Sequence, residues 1–199
     1  MGLIYGYDIC LRPRNVARAL ADLAGLAPPA RAVRPVEVTL PGGDRLVLLF
    51  TSHFKSEPVD CSKSSTLELD TSLMVDGDDA LREYAQTNGP VPEADGRIQI
   101  GYIYATIRFE SLLHPGCTSV ECWAATSGMS RLFAWSANIR KVFTDLTADR
   151  GGVCCLFDTG DGAPERVCWL NGEPTQETVS GPRFPDRRAL AATWSDSEK

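Results

Sequence analysis

The stretch from Arg131 to Leu170 constrains the fold more than any other, because helix, strand, turn and strand signals follow one another in it without a break. Leu132, Trp135, Ile139, Val142, Phe143 and Leu146 recur at spacings of three and four, which predicts one apolar helix face with Arg140, Lys141 and Asp145 outside it. Either Ser130 or Ser136 is placed to cap the N-terminus, since a serine oxygen accepts from the free amides of a first turn. Gly151-Gly152 ends the helix. Val153 to Phe157 is an apolar run too short for another helix, so it reads as a strand buried on both faces. Thr159 to Gly162 turns the chain, and Arg166 to Leu170 returns as the partner strand.

The same signals extend this unit in both directions. Leu3 to Leu11 predicts a strand, and Val16, Ala19, Leu20 and Leu23 form the stripe of a helix ending near Gly25. Val36 to Leu40 and Arg45 to Phe54 read as a hairpin whose second strand, apolar on both faces, is central in a sheet. Thr66 to Val75 alternates Leu67, Leu69, Leu73 and Val75 against Glu68, Asp70, Ser72 and Met74. A short helix follows over Ala80 to Gln86. Arg97 to Glu110 is the longest predicted strand, with Ile98, Ile100, Tyr102 and Tyr104 on one face; His114-Pro115-Gly116 then leads to a strand from Thr118 to Ala125.

These elements predict an α+β fold, a mainly antiparallel sheet with amphipathic helices packed on one face. Asn15 to Leu23 aligns without a gap on Asn138 to Leu146, and each is followed by a strand, a glycine-containing turn and a strand. Either two αββ units are duplicated in related lobes, or packing has imposed one pattern twice. The corresponding division is an N-terminal lobe over 1–88, a proline-bearing connector over 89–96, a C-terminal lobe over 97–179 and a loosely ordered tail over 180–199, with a single merged domain as the alternative.

Charge narrows the partner classes. A formal net charge of −6 and a pI near 5.0 argue against nucleic acid or an anionic membrane and favour a protein with a basic surface. No leader-like segment or membrane-length apolar run is present, which predicts a cytoplasmic protein. Seven cysteines in such a chain read as free thiols rather than a disulfide framework.

Chemical motifs are sparse. Gly128 to Leu132 begins like a nucleophile elbow without its final glycine, and Gly160-Asp161-Gly162 opens a hairpin instead of a nucleotide-binding helix. No cofactor signature appears. His114, Cys117 and Cys122, joined by Cys61 or His53, offer ligand types that zinc prefers, against a plain reading as turn and core residues. Cys154, Cys155 and Cys168 lie in apolar strands as small buried hydrophobes. Glu68, Asp70, Asp76, Asp78 and Asp79 lack calcium-loop spacing and read as a solvated acidic face able to meet a basic partner. Tyr5, Tyr7, Tyr102 and Tyr104 form either an aromatic ligand patch or cross-strand packing under the helices.

Three function classes follow. The first is a non-catalytic binding protein, an inhibitor or regulatory adaptor, that engages a macromolecule through acidic and aromatic surface. The second is a small-ligand sensor with a groove between lobes lined by the four tyrosines. The third is a metal or thiol enzyme built on His114, Cys117 and Cys122.

Overall fold

The computed structural model describes residues 2–28, 34–49 and 57–194. In chain order the elements are β1 (Gly6–Leu11), α1 (Val16–Gly25), β2 (Val36–Thr39), β3 (Arg45–Leu48), β4 (Val59–Asp60), β5 (Thr66–Asp76), α2 (Asp79–Asn88), β6 (Arg97–Arg108), β7 (Thr118–Ala124), α3 (Ser127–Trp135), α4 (Ala137–Asp149), β8 (Cys154–Asp158), β9 (Arg166–Leu170), β10 (Glu173–Pro174) and α5 (Arg187–Ala191). Strand β1 sets the layout. All six of its residues are buried. Tyr7, Ile9 and Leu11 enter one apolar cluster while Cys10 enters a second, so the alternating side chains are covered on both faces.

β1 lies at the centre of a seven-stranded sheet ordered β10-β9-β8-β1-β7-β6-β5, every neighbouring pair antiparallel. Helices α1 to α4 contribute Leu20, Leu81, Phe133 and Phe143 to the cluster that holds Tyr7, which places them together on one face. The architecture is α+β. Strands from both sides of the 89–96 connector join the sheet, β1 and β5 from before it and the others from after it.

The two helix-hairpin units are placed differently. β8 and β9 extend the main sheet beside β1, whereas β2 and β3 belong with β4 to a separate three-stranded sheet. The strand arrangement after α1 and α4 therefore differs, and the helices match because each buries an apolar stripe, not because a unit is repeated. β3, expected to be central, is an edge strand with Val47 64% exposed.

The helix expected from Leu132 to Leu146 is two. Ser136, with extended backbone, separates α3 from α4 and accepts from Ile139 N at 3.0 Å, so it is the cap. Ser130 sits inside α3, where its hydroxyl donates to Leu3 O and accepts from Tyr5 N. The break resets the helical phase, which leaves Trp135 exposed instead of on the buried stripe.

Strand β6 also changes phase. Thr71 and Leu73 of β5 pair with Ile103 and Ile100, so β6 carries one extra residue between them. Ile98 and Ile100 face the helices, as do Ile103, Ala105 and Ile107, while Tyr102 and Tyr104 turn outward. The single alternation read from the sequence breaks at this bulge.

The tail is not loose as far as Trp194. Val179, Phe184, Leu190, Ala191 and Trp194 are buried in the second cluster with Cys10, Cys154, Leu156, Val167 and Leu170. These apolar residues cover the outer face of β8 and β9 and gain stability by leaving water. Among the described residues no helix is long and apolar enough to cross a membrane.

Candidate functional site

The C-terminal segment covers only one half of the sheet's outer face. On the other half, strand alternation turns Glu68 and Asp70 of β5, Tyr102, Tyr104, Thr106 and Arg108 of β6, and Ser119, Glu121 and Trp123 of β7 away from the helices. Register makes two continuous rows. Asp70, Tyr104, Trp123, Gly6 and Asp158 are successive cross-strand partners, and Glu68, Thr106, Glu121, Asp8 and Leu156 form the next row.

Gly6 permits the first row. A Cβ there would lie 2.6 Å from Trp123 Cε3, so the indole lies directly against the glycine backbone. Tyr102 and Tyr104 remain 46% and 49% exposed. Arg108 Nε donates to Glu121 Oε1 at 2.7 Å, and Trp123 Nε1 reaches Glu121 Oε2 at 3.5 Å. Glu121 is thereby fixed between a cation and an aromatic ring.

Asp8 lies at the seam between the open and covered halves. It is buried beside Glu121 in register and accepts from the Ser119 hydroxyl. Burial raises its pKa to about 6; the Ser119 hydrogen bond opposes the rise, and the Glu121 charge adds to it. At the far edge of the seam, Arg187 of α5 donates to Glu165 and to Asp158, both at 2.8 Å, which fastens the C-terminal segment to the sheet.

The sequence candidates separate on this frame. Tyr102 and Tyr104 share the open face. Tyr7 is buried on the helix side, stacked on Phe143 with ring centroids 4.5 Å apart, and its hydroxyl donates to Phe133 O. Tyr5 is half-buried on that side, edge-on to Phe157. β7 also lies between β1 and β6, so the four tyrosines do not line one groove.

His114 and Cys117 are neighbours, with Nδ1 and Sγ 3.8 Å apart, but Cys117 belongs to the outer cluster and Cys122 to the helix-side cluster. The sheet separates them, so the three expected metal ligands do not converge. Cys61 is buried in the helix-side cluster and His53 lies outside the described residues. Among the described residues no group of three or more His, Cys, Asp or Glu side chains is arranged to hold a metal ion. All seven cysteines are buried thiols outside any disulfide. Burial pushes the Cys122 thiol up to about 12 and raises those of Cys10, Cys154, Cys155 and Cys168, the opposite of what a thiolate nucleophile needs.

The acidic run divides as well. Asp78 caps α2 by accepting from Leu81 N at 2.9 Å, and its other oxygen accepts from Ser136 Oγ and Asn138 N at the start of α4. Those hydrogen bonds outweigh partial burial and lower its pKa. Asp78 is therefore a joint between two helices. Asp79 pairs with Arg82, while Glu68 and Asp70 stand on the strand rows beside the tyrosines; Glu68 is exposed, but Asp70 is buried and does not belong to the solvated acidic face expected from the sequence.

Trp123, Glu121 and Asp8 were missed as site residues. Their signal was present: Ser119, Glu121 and Trp123 alternate with Val120, Cys122 and Ala124, and Asp8 is a lone acid in an otherwise apolar strand. No protein-family model matches the chain, and no curated protein or solved structure is similar to it beyond chance.

Proposed function

We propose that this chain is a non-catalytic binding protein, an inhibitor or regulatory adaptor, that engages a protein of basic surface through the open outer face of β5, β6 and β7. The observation that carries the reading is the exposed pair Tyr102 and Tyr104, set beside exposed Glu68 and partly buried Glu121 and Trp123 on a sheet face that the C-terminal segment does not cover. Tyrosine and tryptophan give an interface large contact area at low conformational cost, with a polar tip for hydrogen bonding. The exposed Glu68 carboxylate, together with the negative charge of the whole chain, supplies selectivity and speeds capture of a cationic partner. Against a second copy the same charges repel, since the chain carries a formal net charge of −6.

The small-ligand alternative loses its expected tyrosine-lined groove, because Tyr7 is in the core. The test of the binding reading is side-by-side capture from an extract of the native cell by the wild-type chain and by a Tyr102→Lys/Tyr104→Lys variant with an unchanged unfolding midpoint. The expected result is a basic protein retained by the wild type, weakened at least tenfold in the variant when purified components are titrated, and released by added salt. Equal retention by both forms, or retention by neither, contradicts the reading.

A further inference from the structure

A groove of about 810 Å³ lies away from that face, on the helix side of the sheet between α4 and the strands β9 and β10. One wall is Ala137, Arg140, Lys141 and Thr144, whose spacing keeps them on one flank of α4. Arg166 and Cys168 of β9 form the floor, and the segment from Pro174 to Gln176 forms the opposite wall. Strand alternation directs Arg166 to the same side as Cys168, and its guanidinium carbon sits 6.0 Å from the Phe157 ring centroid.

Charge at this groove runs against the charge of the chain. Arg140, Lys141 and Arg166 all line it, and none of its described lining residues is acidic, although the whole sequence is at −6. Lys141 pairs with Asp145 one turn along, which leaves further ammonium protons for another acceptor. Arg140 Nε is buried without a hydrogen-bond partner among the described residues and its Nη2 reaches Ala134 O only at 3.5 Å, while the guanidinium also faces the buried Tyr7 hydroxyl. A buried guanidinium N–H in that state lowers its free energy when an acceptor enters beside it. Thr175 Oγ1 accepts from Glu177 N at 3.1 Å, so its own proton remains available to donate.

We propose that the groove binds a small molecule carrying at least two negative charges on phosphate or carboxylate oxygens, held by Arg140, Arg166 and Lys141, with Thr175 and Gln176 as neutral donors. The volume suits a metabolite-sized ligand. Glu173 and Glu177 flank the wall in sequence, which opposes an extended polyanion whose charges would continue past the groove. This site is separate from the tyrosine face, so a ligand here would add a small-molecule input to a protein whose partner surface lies on the other side of the sheet.

The test is isothermal titration of the full chain at low salt, with inorganic pyrophosphate in one arm and citrate in the other. Saturable one-to-one binding in at least one arm is expected, and the tighter arm identifies whether phosphate or carboxylate is the natural group. Arg166→Gln, at an exposed position, should leave the unfolding midpoint unchanged and weaken that binding by about tenfold or more. Thr175→Ala should weaken it by a smaller factor. Absence of saturable binding in both arms at millimolar concentrations overturns the proposal, as does binding that Arg166→Gln leaves unaltered.

Discussion

The two halves of the sheet's outer face have opposite chemistry and opposite fates. Over β8, β9 and the end of β1 the outward side chains are Cys10, Cys154, Leu156, Val167 and Leu170, and the chain folds Phe184, Leu190 and Trp194 back over them. Over β5, β6 and β7 they are Glu68, Asp70, Tyr102, Tyr104, Glu121 and Trp123, and the chain leaves the tyrosines half exposed. Apolar surface drives its own covering, whereas tyrosines with polar tips, set beside Glu68 and the Arg108–Glu121 pair, keep enough polar contact to remain in water. One half thus stabilises the fold, and the other is the face we propose for a partner.

The largest way to break this contrast is in the covered half. Phe184 is 1% exposed, so Phe184→Ala should remove about 3–5 kcal/mol from the unfolding free energy in denaturant. A loss below about 1 kcal/mol would mean that the C-terminal segment rests on the sheet without stabilising it.

The seam is next. The folded pKa of Asp8, about 6, lies above the ordinary carboxylate value, so the folded state holds this proton more tightly than the unfolded state does. Its contribution to stability is fully present below about pH 4 and is lost as pH rises through 6. Asp8→Asn should therefore stabilise the protein by about 2–3 kcal/mol at pH 8 and by little at pH 4. Paired urea titrations at the two pH values read this difference directly, and a gain that does not depend on pH would contradict it.

A smaller effect is expected where the segment is fastened. Arg187→Gln breaks the contacts to Asp158 and Glu165 at a partly exposed position and should cost about 1–2 kcal/mol. Native-state hydrogen exchange should show the loss concentrated in α5 and in the β8–β9 strands beneath it, with β6 and β7 unchanged.

Much of this layout was legible in the sequence, and the exceptions have physical causes. The hairpin from Val153 to Leu170 and the strands β5, β6 and β7 follow from period-two alternation, which is strong wherever one face is buried. Tyr102 and Tyr104 stood out in the sequence and lie together on one exposed face, but that face was read through a bulge at which one extra residue inverts the alternation. Tyr7 resembles them in local sequence and differs in fate because its strand is central and lies under Phe133 and Phe143, a fact of tertiary order. Cys117 and Cys122 have odd and even positions near one strand, which alone places them on opposite faces. The burial of Phe184, Leu190 and Trp194 was hidden by the prolines and charges between them, since a segment with one short helix has no period to read. The groove beside α4 joins residues from a helix and from strands that follow it, so no linear motif announces it.

The smallest expected effect is also the most direct test. If the open half is surface held in reserve for a partner, then replacing both exposed tyrosines, Tyr102→Ser/Tyr104→Ser, removes little that the isolated fold depends on. Equilibrium unfolding in urea should place the double variant within about 0.5 kcal/mol of the wild type. A loss of about 2 kcal/mol or more would mean that the aromatic rows stabilise the sheet itself, and the division between a structural half and a binding half would fail.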